Sequence, residues 1–235
     1  MFPKIARELP VPNRMLAALT RTEYQRFFPH GKRVLLLAGQ VLAEPGEKIK
    51  YIYFPDDVLV SVVAVVDQTR VLEVALVGRE GFIGVSAALG ASAFAMRATV
   101  ARHGAALRIS ARAFRREMQH DGTLQREVLR YTHSLMAQIA HTAACNRFHL
   151  IEARLANRLL VTRDRVGSNH FALTHEALSQ MLGVRRVGIT TAAHALKARN
   201  LIDYSRGNIA ITDGSGLEKV ACTCYLLVKD IHGKI

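Results

Sequence analysis

Between Thr174 and Arg199 the sequence reads THEALSQMLGVRRVGITTAAHALKAR, two short helical runs hinged on a single glycine. Thr174 is a helix N-cap residue, and Glu176 falls in the first turn, where a negative side chain meets the positive end of the helix dipole. The run HEALSQML stops at Gly183, which enters a left-handed turn with no Cβ penalty. A second helix follows from about Arg185 to Arg199. Leu178, Leu182, Val184, Ile189 and Leu196 are spaced to fill the angle between the two helices, and Ser179 and Ala192 are small where the axes cross. That is the sequence logic of a helix-turn-helix.

The second helix then has one face left over. Arg185, Arg186, Thr190, Thr191 and His194 lie on or near it, with Gly188 and the two threonines slim enough for close approach to base edges in a major groove. Arg186 is placed to read guanine O6 and N7, and Thr190 and Thr191 to meet a thymine methyl or a phosphate. Thr174 and His175 can hold phosphate oxygens at the start of the first helix. Beyond it, DYSRGNIAITD reads as two short extended runs with Arg206 at the tip, within reach of a flanking phosphate. The competing reading is a helical hairpin with a basic surface that meets a protein instead of double-stranded DNA.

Charge favours a polyanion. The formal net charge is +13, and it is unevenly placed: residues 1–96 carry 11 basic and 9 acidic side chains, residues 97–130 carry 8 and 3, and residues 148–235 carry 12 and 7. Nucleic acid is the commonest partner of such a basic region.

The front of the chain has a different texture. From Lys32 to about Ile109, short β-branched runs such as VLVSVVAVV and VLEVALV alternate with turn signals at Gly39, Pro45-Gly46 and Asp67–Arg70, predicting a jelly-roll-like sandwich. Arg14–Phe28 has helical periodicity before it. From Arg112 to about Asn146 there is no proline, and Leu124, Val128, Tyr131, Leu135, Ile139 and Thr142 recur every three or four residues. That stripe predicts one long helix, read here as a dimer seam in preference to packing on its own domain. IEARLANRLLVTRDRVG is a further amphipathic helix. The expected organisation is α+β: a β-roll over 1–111, a dimerisation helix and hinge over 112–147, and a winged helix-turn-helix over 148–235.

Several classes fall away. No run of 18 apolar residues exists, so no membrane span is expected, and MFPKIARELPVPNR lacks the pattern of a secretory signal, so a cytoplasmic protein is expected. No phosphate-cradling glycine loop and no nucleophile–base pair in a recognisable context argues for an enzyme. Cys145, Cys222 and Cys224 read as three reduced thiols, since one intervening residue is the wrong spacing for a C-x-x-C motif. His141, Cys145 and His149 stand four apart, but a hinge expected near Asn146 would scatter them, and no metal site is expected.

The stretches LAEPGEKIKYIYFP and GREGFIG, the long helix, CNRFHLIEARLANRLL and the winged helix-turn-helix together resemble the CRP/FNR family of transcription regulators over roughly Ile5–Leu217. The resemblance implies a homodimer on a palindromic site, acting on RNA polymerase. Its cyclic-nucleotide signature pairs a glycine with a glutamate for the ribose, and places an arginine some ten residues on for the cyclic phosphate. Here Gly84 is followed by Val85, and Arg97 lies beyond the phosphate position in GASAFAMRAT. An uncompensated phosphate in an apolar pocket is costly, so this degenerate effector pocket (Gly84, Val85, Arg97) is not expected to take cAMP. No cysteine precedes Cys145, so the family's N-terminal iron–sulfur cluster is not expected either. No cofactor is therefore expected, and the effector is open: an unidentified ligand, redox chemistry at Cys145, or expression level alone. In the recognition helix Arg186 matches the family's first arginine, while Val187 and Thr191 replace the following glutamate and second arginine. The half-site is therefore not expected to be the familiar one.

Overall fold

The structure, a computed structural model, describes residues 12–67, 70–120 and 122–233. The N-terminal stretch read against a secretory signal, and the middle of the Asp67–Arg70 connection, lie largely outside the described residues. Helices α1 (Arg14–Ala17) and α2 (Arg21–Phe27) come first, two short pieces where the periodicity predicts one. Thr20 divides them. Its hydroxyl caps the backbone of Glu23, and the Glu23 carboxylate returns to the Thr20 amide, so a new helix starts there.

Strands β1 (Gly31–Leu36), β2 (Val41–Ala43), β3 (Tyr51–Pro55), β4 (Leu59–Val65), β5 (Val71–Val77), β6 (Arg97–Arg102) and β7 (Gly104–Ser110) follow, with a helical turn α3 (Val85–Ala88) before β6. They form two antiparallel sheets, ordered β1-β7-β3 and β2-β6-β4-β5. The jelly-roll-like prediction therefore stands. Between the sheets and the helices packed on them lies an apolar core whose aromatic centre is Phe54, stacked on Phe82 and flanked by Phe27 and Phe114, with Tyr131 packed on the Phe82 ring.

The predicted single helix from Arg112 is two helices, α4 (Ala111–Met118) and α5 (Thr123–Phe148). The break falls just ahead of Gly122, whose extended backbone begins α5 without a side-chain cap of its own. Glu23 supplies the missing partner, since its carboxylate also accepts the Thr123 amide across the fold. Against the desolvation of the site, the hydrogen bonds from Thr20 and Thr123 hold the Glu23 carboxyl down at about 2. At its far end α5 continues unbroken past Asn146 to Phe148, so the hinge lies at His149–Leu150 instead of near Asn146.

The C-terminal part comprises α6 (Ile151–Val166), β8 (His170–Ala172), α7 (His175–Leu182), α8 (Arg186–Ala198), β9 (Ile202–Ser205), β10 (Asn208–Ile211), α9 (Gly214–Val220) and α10 (Cys224–Gly233). Its strands form a small sheet, β8-β10-β9. Leu155, Leu159, Leu178, Ile189, Leu196 and Leu217 make its separate core. Helix α10 returns to pack on α5 and α6, and Tyr225 at its start is buried, donating its hydroxyl to Asp164 at 2.7 Å. The two parts meet at β5. Glu73 on that strand pairs with Arg158 of α6, and Arg165 of α6 pairs with Glu80 at 2.9 Å. No helix among the described residues is long and apolar enough to cross a membrane.

Candidate nucleic-acid interface

Thr174 caps α7 as its sequence position requires: the hydroxyl accepts the Ala177 amide at 3.1 Å. Gly183 closes the helix at φ +61°, a left-handed turn that favours glycine, and an added Cβ there would press on the tip of the Leu72 side chain of β5 at 2.7 Å. Leu178, Ile189 and Leu196 are fully buried in the angle between α7 and α8, while Leu182 and Val184 are half-buried at its edge. Ser179 and Ala192 are buried as well.

Helix α8 leaves Arg186, Val187, Thr191 and His194 exposed along one side, with Arg185 exposed at its N-cap. Thr190 is half-buried and takes part in a small network, because its hydroxyl donates to the Arg186 carbonyl and lies 3.2 Å from His175 Nδ1. Gly188 is not on this surface. Its Cα faces α6, where a Cβ would meet Ile151 Cδ1 at 3.1 Å, so its smallness serves helix packing and not groove entry. Val187, in the sequence only a departure from the family pattern, is 69% exposed at the head of the helix and offers an apolar contact there. Its four-residue spacing to Thr191 was the signal that it shares that side.

The β9–β10 hairpin is the wing. Arg206 and Gly207 both have positive φ, +47° and +82°, as a two-residue type I′ turn demands. Tyr204 ties the wing to the helices: its ring packs on His175 and His194, and Lys197 lies 5.1 Å above it while pairing with Asp203 at 2.6 Å. Thr174, His175, Arg186, Tyr204, Arg206 and Gly207 line a cleft of about 310 Å³ between the N-terminus of α7 and the wing tip. Two arginines and a helix N-terminus at one opening suit an anionic oxygen. Burial, then the charges of Arg186 and His194, lower the His175 pKa, and its Nε2 is buried without a protein partner.

The other two groups of candidate residues fare differently. Leu124, Val128, Tyr131 and Leu135 are 0–6% exposed within one chain and belong to the β-roll core, and Ile139 packs against it. Thr142 turns its hydroxyl back to the Gln138 carbonyl. The stripe therefore covers the chain's own sheets, which was the competing reading, because an apolar helix face packs on the nearest apolar surface available. The opposite side of α5 carries Leu129, His133, Met136, Ala140 and Ala143, all exposed, at alternating spacings of four and three.

Gly84 (φ +122°) and Val85 line a cavity of about 50 Å³ together with Phe82, Phe94, Met96 and Leu135. Arg97 is outside that lining and pairs with Glu44 at 2.9 Å.

The family model described as the Crp-like helix-turn-helix domain matches residues 153–220. No curated protein matches the chain. Among solved structures, FixK2 from Bradyrhizobium japonicum superposes with a TM-score of 0.72 at 12% identity, covering 82% of this chain and 98% of its own. A putative CRP/FNR-family regulator from Eubacterium rectale gives 0.69 at 16% identity, covering 88% and 97%. A CRP-family regulator from Thermus thermophilus gives 0.68 at 19% identity, covering 80% and 96%. The chain thus has the fold of the CRP/FNR transcriptional regulators, a β-roll followed by a Crp-like helix-turn-helix domain.

Proposed function

We propose that the chain is a DNA-binding transcription regulator that acts as a homodimer on a palindromic operator and does so without cAMP. The carrying observation is the exposed side of α8, where Arg186, Val187, Thr191 and His194 project beside a cationic cleft capped by Thr174 and Arg206. In this reading Arg186 reads a base edge, Val187 and Thr191 meet thymine methyls, and the α7 N-terminus, His175 and Arg206 hold phosphates. The dimer forms along Leu129, His133, Met136, Ala140 and Ala143, because a four–three repeat on a 26-residue helix is the geometry of a paired-helix seam. Two copies then present their recognition helices about 34–36 Å apart, one turn of duplex. RNA polymerase is the expected downstream partner.

Independence from cAMP is supported by size and charge. A cavity of about 50 Å³ is far below the several hundred Å³ that a small-molecule site usually needs, and no charged side chain lines it. Calorimetric titration with cAMP is expected to show no heat of binding, and micromolar affinity would refute this part.

The main test is anisotropy of a genome-selected duplex over a salt series. The expected slope is about −0.9 per neutralised phosphate in log K against log salt. Absence of duplex binding at low ionic strength would overturn the reading and favour a protein partner for the wing.

A further inference from the structure

Three cysteines and a histidine from distant parts of the sequence converge behind the hinge. Cys145 comes from the last turns of α5 and His149 caps that helix, while Cys222 and Cys224 flank the turn joining α9 to α10. Their ligand atoms all lie within 4.8 Å of one another. Cys145 Sγ is 3.4 Å from Cys222 Sγ, and Cys224 Sγ is 3.7 Å from His149 Nδ1. All three thiols are buried and free of disulfides.

We propose that Cys145, His149, Cys222 and Cys224 form a tetrahedral site for one Zn²⁺ ion, which ties the end of α5 to the α9–α10 turn. Ligands of a tetrahedral zinc at about 2.3 Å for sulfur and 2.0 Å for nitrogen stand roughly 3.5–3.8 Å apart, close to the observed spacings. An iron–sulfur cluster, several ångströms across, would hold its thiolates farther apart than this group sits. The set is borderline-soft, which suits zinc and excludes the oxygen-seeking magnesium and calcium.

The surroundings fit a metal centre of net charge −1, three thiolates and a neutral imidazole around a dication. The Asn157 side-chain amide donates to Cys222 Sγ at 3.5 Å, the kind of outer hydrogen bond that orients a ligand. Arg154, buried beside the cluster, is the matching cation. Burial lowers its pKa, and the charges of Cys145 and Cys222 oppose that. Binding is balanced by release of the thiol protons to solvent, with no change of oxidation state. His141 takes no part through its ring, offering only its carbonyl to Cys224.

The test uses the full chain purified under reducing conditions, stripped with a chelator and titrated with Co²⁺ and then Zn²⁺. One equivalent of Co²⁺ is expected to give the visible bands of a tetrahedral centre and thiolate charge transfer, both abolished by one equivalent of Zn²⁺. Cys222→Ser and Cys224→Ser are expected to remove the charge-transfer band or weaken it sharply. Should these variants not fold, Asn157→Ala keeps all four ligands and is expected to weaken zinc about tenfold or more. Absence of the tetrahedral spectrum, iron with sulfide in place of zinc, or a metal-free chain lighter by two hydrogens through a Cys145–Cys222 disulfide would each overturn the proposal. None of these readouts involves DNA, so the outcome is independent of the regulator reading.

Discussion

Arg158 and Glu73 meet as a buried ion pair between the two parts of the chain, guanidinium from α6 and carboxylate from β5, with a second contact at 3.2 Å and the Ser61 hydroxyl donating to the same carboxylate. Burial pushes Glu73 up and Arg158 down, and each holds the other charged. The cost of dehydrating both ions makes the pair a weak source of net stability, but it penalises any arrangement that exposes only one of them.

Arg158→Ala is therefore expected to destabilise the chain by about 3–5 kcal/mol, because it leaves the Glu73 carboxylate buried and uncompensated. The double variant Arg158→Met, Glu73→Leu is expected to recover most of that loss. Urea denaturation of the four members of the cycle measures it, and equal losses in single and double variants would remove the pair from the account.

The two sides of α5 make opposite predictions. Tyr131→Ala, in the β-roll core, is expected to cost about 3–5 kcal/mol of folding stability. Met136→Glu, on the outer side, is expected to leave the thermal midpoint of the single chain nearly unchanged while shifting sedimentation from dimer to monomer. A dimer that survives Leu129→Glu combined with Met136→Glu would place the seam elsewhere.

At the interface, Arg186→Ala is expected to weaken operator binding by about 1–3 kcal/mol and to relax preference at one base position. Competition binding against a set of single-base operator variants reads this directly. A uniform loss over all of them would make Arg186 a phosphate contact.

Glu23 gives the stability a pH dependence of known sign. Its carboxyl is held at about 2 in the folded chain against 4.5 when unfolded, so its contribution is complete above about pH 4.5 and disappears as pH falls through about 2. Glu23 is half-buried, and solvent screening reduces the effect to about 1 kcal/mol. Glu23→Gln is expected to lose that much at pH 7 and to converge with the parent protein in acid, followed by denaturation at stepped pH.

What the sequence disclosed follows from the range of the interactions. The Thr174 cap, the Gly183 turn and the Arg206-Gly207 wing tip are set by neighbours within a few residues, and the structure repeats them. The stripe from Leu124 to Leu135 announced a buried face correctly, but periodicity does not say which surface will cover it, and the β-roll does. Gly188 looked slim for a groove and instead makes room for Ile151. The break before α5 depends on Glu23, a hundred positions upstream of Thr123. The cysteine cluster was hidden for the same reason: Cys145 and Cys222 are 77 residues apart, and the spacing of Cys222 and Cys224 matches no familiar short motif.

Leu135 and Met136 are adjacent on α5, one lining the small β-roll cavity and the other facing outward. In the dimer proposed above, a rod gripped on both flanks could not slide along one without dragging on the other, so a change in the space beneath Leu135 would be felt, one residue away, at the surface offered to a second copy.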